Sequence, residues 1–87
     1  MANILVIDDN NTLREGVAQV LTKMGHKAFT ASGGAQGLAI FKKESIDFTI
    51  SDLKMDGMDG TQVLKFIREQ DEEALVMIIT AFGTIQV

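Results

Sequence analysis

The fold is most clearly indicated by two segments, ILVIDD (residues 4–9) and IDFTISD (residues 46–52). Each is a mainly apolar run with the length of a buried strand; the first ends in two acidic residues and the second in one. The carboxyl ends of strands in one parallel sheet open onto a common crevice, where ligands of such sheets usually bind. The two segments therefore predict an α/β fold that gathers acidic side chains at one edge of its sheet.

Three carboxylates, those of Asp8, Asp9 and Asp52, are expected to meet at that edge. Like charges at close range repel, and each group resists ionisation unless a cation lies between them. An oxygen-rich site of this kind suits a hard divalent ion, most simply Mg²⁺. The sequence therefore predicts a magnesium site.

The rest of the chain alternates between strand and helix patterns, which indicates a parallel sheet with right-handed crossovers. Thr12-Leu13-Arg14-Glu15 matches a capping box at the start of the first helix. Residues 83–87 read as the opening of a fourth helix. The predicted elements are strands at 4–7, 27–31, 46–51 and 75–79 and helices at 12–24, 35–43 and 61–70.

The amino-acid composition excludes or disfavours several classes of protein. The 87 residues include 8 basic and 12 acidic side chains, for a formal charge of −4, and there is no cysteine. Disulfides and thiolate metal sites are therefore excluded. The basic residues are scattered, which argues against direct nucleic-acid binding. No segment has the length and apolar character of a membrane span or a signal peptide, so a cytoplasmic location is expected.

These features together resemble the receiver domain of two-component response regulators. The resemblance rests on the acids after the first and third strands, the loop DLKMDGMDG (residues 52–60), and the segment ITAFG (residues 79–83). The stretch TAFGTI (residues 80–85) is most similar to receivers of the nitrogen-regulation type, which activate sigma-54 transcription. The resemblance spans residues 1–87 and implies a flavodoxin-like fold, with strand order 2-1-3-4-5 and helices on both faces.

The resemblance also implies a function and a set of site residues. Asp52 is expected to take a phosphoryl group from a sensor histidine kinase, as a phosphoacceptor rather than an enzyme. Asp9, Asp52 and the Lys54 carbonyl are expected to bind Mg²⁺, with Asp8 acting mainly through water.

Two further residues have expected roles in reading the phosphorylated state. Thr80 would hydrogen-bond the phosphoryl oxygen, and Ala81 would leave room for it and offer a backbone amide. Thr80 also fits a simpler reading as a β-branched strand terminus.

The sequence departs from the family pattern in two places. The family has five strands and five helices, so residues 1–87 are expected to be a receiver domain truncated before its fifth strand and that strand's phosphate-binding lysine. Asp56 stands where the family usually has proline.

The expected truncation leaves alternatives open. One is a phosphorylation-impaired receiver fragment that acts as an oligomerising or structural module. The fourth strand would form an exposed apolar edge, and one face of the sheet would carry the first helix alone. We therefore expect a homodimer that associates through the fourth strand and the uncovered face.

Two other classes fit less well. Residues 8–13 faintly resemble the signature of haloacid-dehalogenase-like phosphatases, but Asn10 stands where the acid–base aspartate should be. A flavodoxin is disfavoured because acids rather than hydroxyls follow the first strand, where they would repel phosphate unless a metal intervened.

Overall fold

The computed structural model describes residues 1–80 and the backbone of residues 83–86. Strands and helices alternate along the chain as the sequence predicts, up to the fourth strand. The elements are β1 (Asn3–Ile7), α1 (Asn11–Lys23), β2 (Lys27–Ala31), α2 (Gly34–Lys43), β3 (Phe48–Asp52), α3 (Gly60–Gln70), β4 (Leu75–Thr80) and β5 (Gly83–Gln86).

The strands form one sheet in the order β2-β1-β3-β4-β5. The first four are parallel, with Val6 of β1 between Thr30 of β2 and Ile50 of β3. Asp52 of β3 lies opposite Ile79 of β4. The predicted α/β class, the strand order 2-1-3-4 and the flavodoxin-like arrangement are therefore confirmed.

Helices cover the two faces of the sheet unequally. Helices α2 and α3 pack on one face over a core that includes Leu5, Ile7, Val63 and Ile67. On the other face, α1 packs against β1 and β2, over a smaller cluster of Ile4, Val6 and Ile50. Among the described residues, α1 is the only helix on that face, as the sequence predicts.

The start of α1 differs from the prediction. The N-cap is Asn10, whose side-chain oxygen accepts a hydrogen bond from the Leu13 backbone N–H at 3.0 Å. The predicted capping box beginning at Thr12 is therefore wrong, because the helix has already begun at Asn11. A capping box is present at α3 instead, where Asp59 and Gln62 satisfy each other's backbone N–H groups.

Residues 83–86 do not begin a fourth helix. They form β5, which pairs antiparallel with β4 in a register that sets Thr80 opposite Gly83 and Met77 opposite Gln86. The physical reason is that an edge strand offers unpaired backbone groups, and the chain returns to satisfy them. The segment contains β-branched Thr84 and Ile85, which favour strands. The prediction that the fourth strand has an exposed edge is therefore wrong for residues 77–80, which pair with β5.

No helix among the described residues is both long enough and apolar enough to cross a membrane.

Candidate metal centre

Asp8 and Asp9 follow β1 directly, in the connection to α1. Asp8 is buried, its backbone N–H donates to the Ala31 carbonyl at 3.1 Å, and its Oδ1 accepts from the Asn10 N–H at 2.9 Å. Asp9 is exposed. One acid is thus fixed by the fold, and the next projects from the carboxyl edge of the sheet.

Asp52 is the last residue of β3, and the chain turns sharply after it. Glycine at position 60 makes this turn possible. The Gly60 N–H donates to the Leu53 carbonyl at 2.8 Å, and a Cβ at Gly60 would lie 2.5 Å from the Asp52 carbonyl oxygen. Gly57 supplies the left-handed conformation in the same loop, with φ of 80°. The β3–α3 loop therefore holds Asp52 by close backbone packing.

The three acids meet as the sequence predicts. Asp8, Asp9 and Asp52 each offer a carboxylate oxygen, and these oxygens all lie within 4.8 Å of one another. Opposite ligands of an octahedral Mg²⁺ are about 4.2 Å apart, since each Mg–O distance is about 2.1 Å. The set fits Mg²⁺ if one carboxylate binds through water or if the side chains move closer together around the ion.

The electrostatics of the cluster favour the binding of a cation. Burial raises the pKa of Asp52 above its ordinary value, and the negative charges of Asp8 and Asp9 raise it further. Hydrogen bonds from the backbone N–H groups of Lys54 and Leu53 lower it in part. A bound cation would reverse the repulsive contribution.

Of the remaining predicted site residues, two lie near this cluster and one lies outside the described residues. Lys54 has an exposed side chain, and its backbone N–H faces the Asp52 carboxylate. Thr80 is half-buried at the end of β4, one residue beyond the position opposite Asp52. Ala81 lies outside the described residues.

Three residues that the sequence reasoning did not single out also shape the site. Asn10 caps α1 and donates its N–H to Asp8, Arg14 donates to the Asp8 carbonyl, and Gly60 packs on Asp52. Asn10 was recognisable as a preferred N-cap residue type. No sequence signal distinguishes Arg14 from an ordinary exposed helix residue.

A family comparison identifies the type of domain. The model of the response regulator receiver domain family matches residues 4–87. Sporulation initiation phosphotransferase F of Bacillus subtilis is 40% identical over 80 residues, which are 92% of this chain and 64% of that protein. The transcriptional regulatory protein GlrR of Escherichia coli is 39% identical over 84 residues, which are 97% of this chain and 19% of that protein.

A solved structure agrees with this result. The response regulator TrrA of Thermotoga maritima, in its complex with Mg²⁺-BeF, superposes with a TM-score of 0.88 at 33% identity, covering 93% of this chain and 70% of that one. TrrA has also been solved with the histidine kinase ThkA. The chain spans about two thirds of the Bacillus protein and a fifth of GlrR.

Proposed function

The chain belongs to the response regulator receiver domain family, and on that premise we propose that it is the phosphoacceptor of a two-component signalling system. Asp52 receives a phosphoryl group from the phosphohistidine of a sensor histidine kinase. The observation that carries the proposal is the convergence of Asp8, Asp9 and Asp52 at the carboxyl edge of the sheet. The TrrA–ThkA complex of a related receiver supports the class of partner. The family also supports a cytoplasmic site of action.

The proposed step is a direct displacement at phosphorus. A carboxylate oxygen of Asp52 forms a bond to phosphorus, the bond from phosphorus to the histidine nitrogen breaks, and the imidazole keeps the electron pair. The half-buried end of β3 presents the Asp52 carboxylate, which is a competent nucleophile when ionised. Catalysis of such transfers depends mainly on positioning and charge neutralisation.

The residues that would hold Mg²⁺ are Asp9, Asp52 and the Lys54 carbonyl, with Asp8 acting through water. The cation would neutralise charge on the transferred phosphoryl group. Burial and the repulsion from Asp8 and Asp9 support this assignment, because together they raise the pKa of Asp52 and so disfavour the ionised nucleophile unless a cation is present. Thr80 and Ala81 are the proposed contacts of the phosphoryl oxygens.

Incubation with acetyl phosphate and Mg²⁺, followed by intact mass measurement, tests the proposal. We expect the mass of one phosphoryl group to be gained by the wild type and not by Asp52→Asn or in the presence of a chelator. Asp56→Asn is the matched control, because it makes the same change of charge in the neighbouring exposed loop and leaves Asp52 in place. Equal labelling of wild type and Asp52→Asn would contradict the proposal.

A phosphorylation-impaired receiver is the second candidate. The groups that act on the Asp52 carboxylate are two carboxylates and two backbone amides, and no lysine side chain of the described residues is among them. A receiver of this kind would accept the phosphoryl group slowly or partially. The rate of mass gain in the same experiment separates the two candidates, since fast stoichiometric labelling excludes the impaired form.

We also propose that the chain forms a homodimer, although not through the fourth strand as expected from the sequence, because β5 pairs with β4 over residues 77–80. The exposed apolar side of α1, the helix on the less covered face of the sheet, supports association there. A groove of about 310 Å³ runs along the helix and is lined by Thr12, Leu13, Gly16, Val17, Val20 and Leu21. Leu13 is 57% exposed and Val20 is 56% exposed. Burial of such side chains favours association, and the gain has to exceed the translational, rotational and side-chain entropy lost when two chains associate.

Charge complementarity favours a second copy of this chain as the occupant of the groove. The exposed Asp9 precedes α1, and the exposed Lys23 lies in the last turn of the helix. Two copies of α1 packed antiparallel about a two-fold axis would bring each acidic end beside the basic end of the other. The groove floor at Gly16 has nothing within 4 Å of a Cβ position, which leaves space for close approach.

Sedimentation of the purified chain over a range of concentrations tests the dimer. We expect Val20→Lys to shift the equilibrium to monomer without unfolding the protein, because Val20 is more than half exposed. Gln19→Lys, on an exposed position of the same helix, should leave association unchanged. A folded wild-type monomer at every concentration would contradict the proposal.

A further inference from the structure

The side chain of Arg14 turns back from α1 onto the acidic loop. Its Nη1 donates to the Asp8 backbone carbonyl at 3.0 Å, and its Nη2 donates to Asn11 Oδ1. Its Nε lies 3.7 Å from Glu15 Oε1, and only 11% of the side chain is exposed. A guanidinium held by three partners has a defined position, unlike most long charged side chains on a helix surface.

The carbonyl that Arg14 holds belongs to the peptide group between Asp8 and Asp9. Its orientation therefore sets where the Asp9 backbone points. The Asp9 carboxylate is exposed and, in the part of the chain that the structure describes, makes no hydrogen bond or ion pair of its own. Its place in the cluster thus depends on its backbone, whereas the Asp8 carboxylate is fixed by the Asn10 N–H.

We propose that Arg14 is a positioning residue for the divalent-cation site, acting through the Asp8–Asp9 peptide. The inference rests on the proposed function, because it assumes that Asp8, Asp9 and Asp52 hold Mg²⁺. Groups that orient metal ligands from outside the coordination sphere typically contribute 10–100-fold to metal affinity.

The direction in which Mg²⁺ affinity changes when Arg14 is replaced distinguishes a positioning role from an effect of its charge. Arg14 carries a positive charge near a site for a cation, so by electrostatics alone its removal should tighten Mg²⁺ binding. Loss of positioning should weaken binding, since the Asp9 carboxylate would no longer be directed at Asp52. The two accounts therefore predict opposite changes for one substitution.

The chain offers a matched control at Arg68. Its Nε donates to the Ala74 backbone carbonyl at 3.0 Å, also across six residues, near the end of α3 and the start of β4. These ends lie at the amino-terminal edge of the parallel strands, opposite the acidic cluster. Arg68→Gln and Arg14→Gln remove the same charge and the same kind of hydrogen bond.

The experiment measures the Mg²⁺ dissociation constant by calorimetry at fixed ionic strength, with the melting temperature of each metal-free variant beside it. We expect Arg14→Gln to weaken Mg²⁺ binding by about 10-fold or more. Arg68→Gln should stay within about two-fold of wild type, even if it lowers the melting temperature as much as Arg14→Gln does.

Arg14→Lys keeps the charge and one donor, so it serves if Arg14→Gln does not fold, and its affinity should lie between wild type and Arg14→Gln. Mg²⁺ binding by Arg14→Gln or Arg14→Lys as tight as wild type, or tighter, would overturn this inference alone. Failure of the wild type to bind Mg²⁺ would overturn the proposed function together with it.

Discussion

Replacing Asp52 with asparagine removes one of three clustered carboxylates, and we expect it to stabilise the metal-free protein. The ionised side chain is opposed by burial and by the charges of Asp8 and Asp9. Asparagine has nearly the same shape and keeps an oxygen that can accept from the backbone N–H groups of Lys54 and Leu53. The substitution should therefore relieve repulsion without opening a cavity.

The distance within the cluster sets the magnitude. The carboxylate oxygens lie within 4.8 Å of one another, and two unit charges at that upper limit repel by about 0.9 kcal/mol in water and by about 3.5 kcal/mol at the effective dielectric constant of about 20 found near protein surfaces. Because Asp9 is exposed, solvent screens its repulsion of Asp52. Asparagine also forms weaker hydrogen bonds than a carboxylate, which offsets part of the gain. We therefore expect a gain of about 1–2 kcal/mol. In a domain of this size, each 1 kcal/mol raises the melting temperature by about 4–8 °C.

The gain should depend on pH with a definite sign. The pKa of Asp52 is raised in the folded state, so between the ordinary pKa of an aspartate and the raised value the folded protein retains a proton that the unfolded chain has released. The free energy of unfolding contributed by Asp52 therefore falls as the pH rises through that window. The advantage of Asp52→Asn should grow from acidic to neutral pH and then level off.

Thermal denaturation with and without Mg²⁺ measures both effects. In the absence of Mg²⁺, Asp52→Asn should have a higher melting temperature than wild type. Asp56→Asn makes the same charge change at an exposed position, and its free energy of unfolding should lie within about 0.5 kcal/mol of the wild-type value. Added Mg²⁺ should raise the melting temperature of wild type and of Asp56→Asn much more than that of Asp52→Asn. Equal shifts for the two variants at neutral pH, or equal stabilisation of Asp52→Asn by Mg²⁺, would refute the reasoning.

Two further substitutions test the packing beneath the site. Thr49→Val should raise the free energy of unfolding by about 1 kcal/mol in a denaturant titration, because the buried Thr49 hydroxyl has no hydrogen-bond partner among the described residues; a loss of stability would contradict this. Gly60→Ala should destabilise the protein and slow its labelling by acetyl phosphate, because the new Cβ would lie 2.5 Å from the Asp52 carbonyl oxygen. Gly33→Ala is the control, since a Cβ there meets no atom within 4 Å and the extended backbone at Gly33 accepts alanine. Gly33→Ala should leave labelling unchanged, and equal labelling rates of the two glycine variants would count against the proposed role of Gly60.

Much of the architecture could be predicted because apolar periodicity and glycine positions act locally. The runs at 4–7 and 75–79 fall within parallel strands, and Gly25 ends α1 with a φ of 92°. The meeting of the three acids was also predictable, since it follows from parallel pairing alone. Their roles in metal binding and phosphoryl transfer remain predictions.

The features that could not be predicted depend on tertiary contacts, which the local sequence does not indicate. Asn10 and Thr12 are both suitable helix caps, and the contact of the Asn10 N–H with Asp8 favours the earlier one. Residues 83–86 pair with β4 because the edge of that strand has unpaired backbone groups. The local sequence pattern does not indicate this pairing. His26 is half-buried, and its Nδ1 accepts from the Ala2 N–H at 3.0 Å, a contact across 24 residues that no local sequence pattern indicates.

The central claim is that the Asp52 carboxylate itself receives the phosphoryl group. Reduction of the acetyl-phosphate-treated protein with borohydride converts an aspartyl phosphate to homoserine, and peptide mass spectrometry then locates the converted residue. We expect homoserine at position 52 only, formed in the presence of Mg²⁺ and absent when a chelator is added. Conversion at Asp8 or Asp9, or the same yield at position 52 without a divalent ion, would contradict the account.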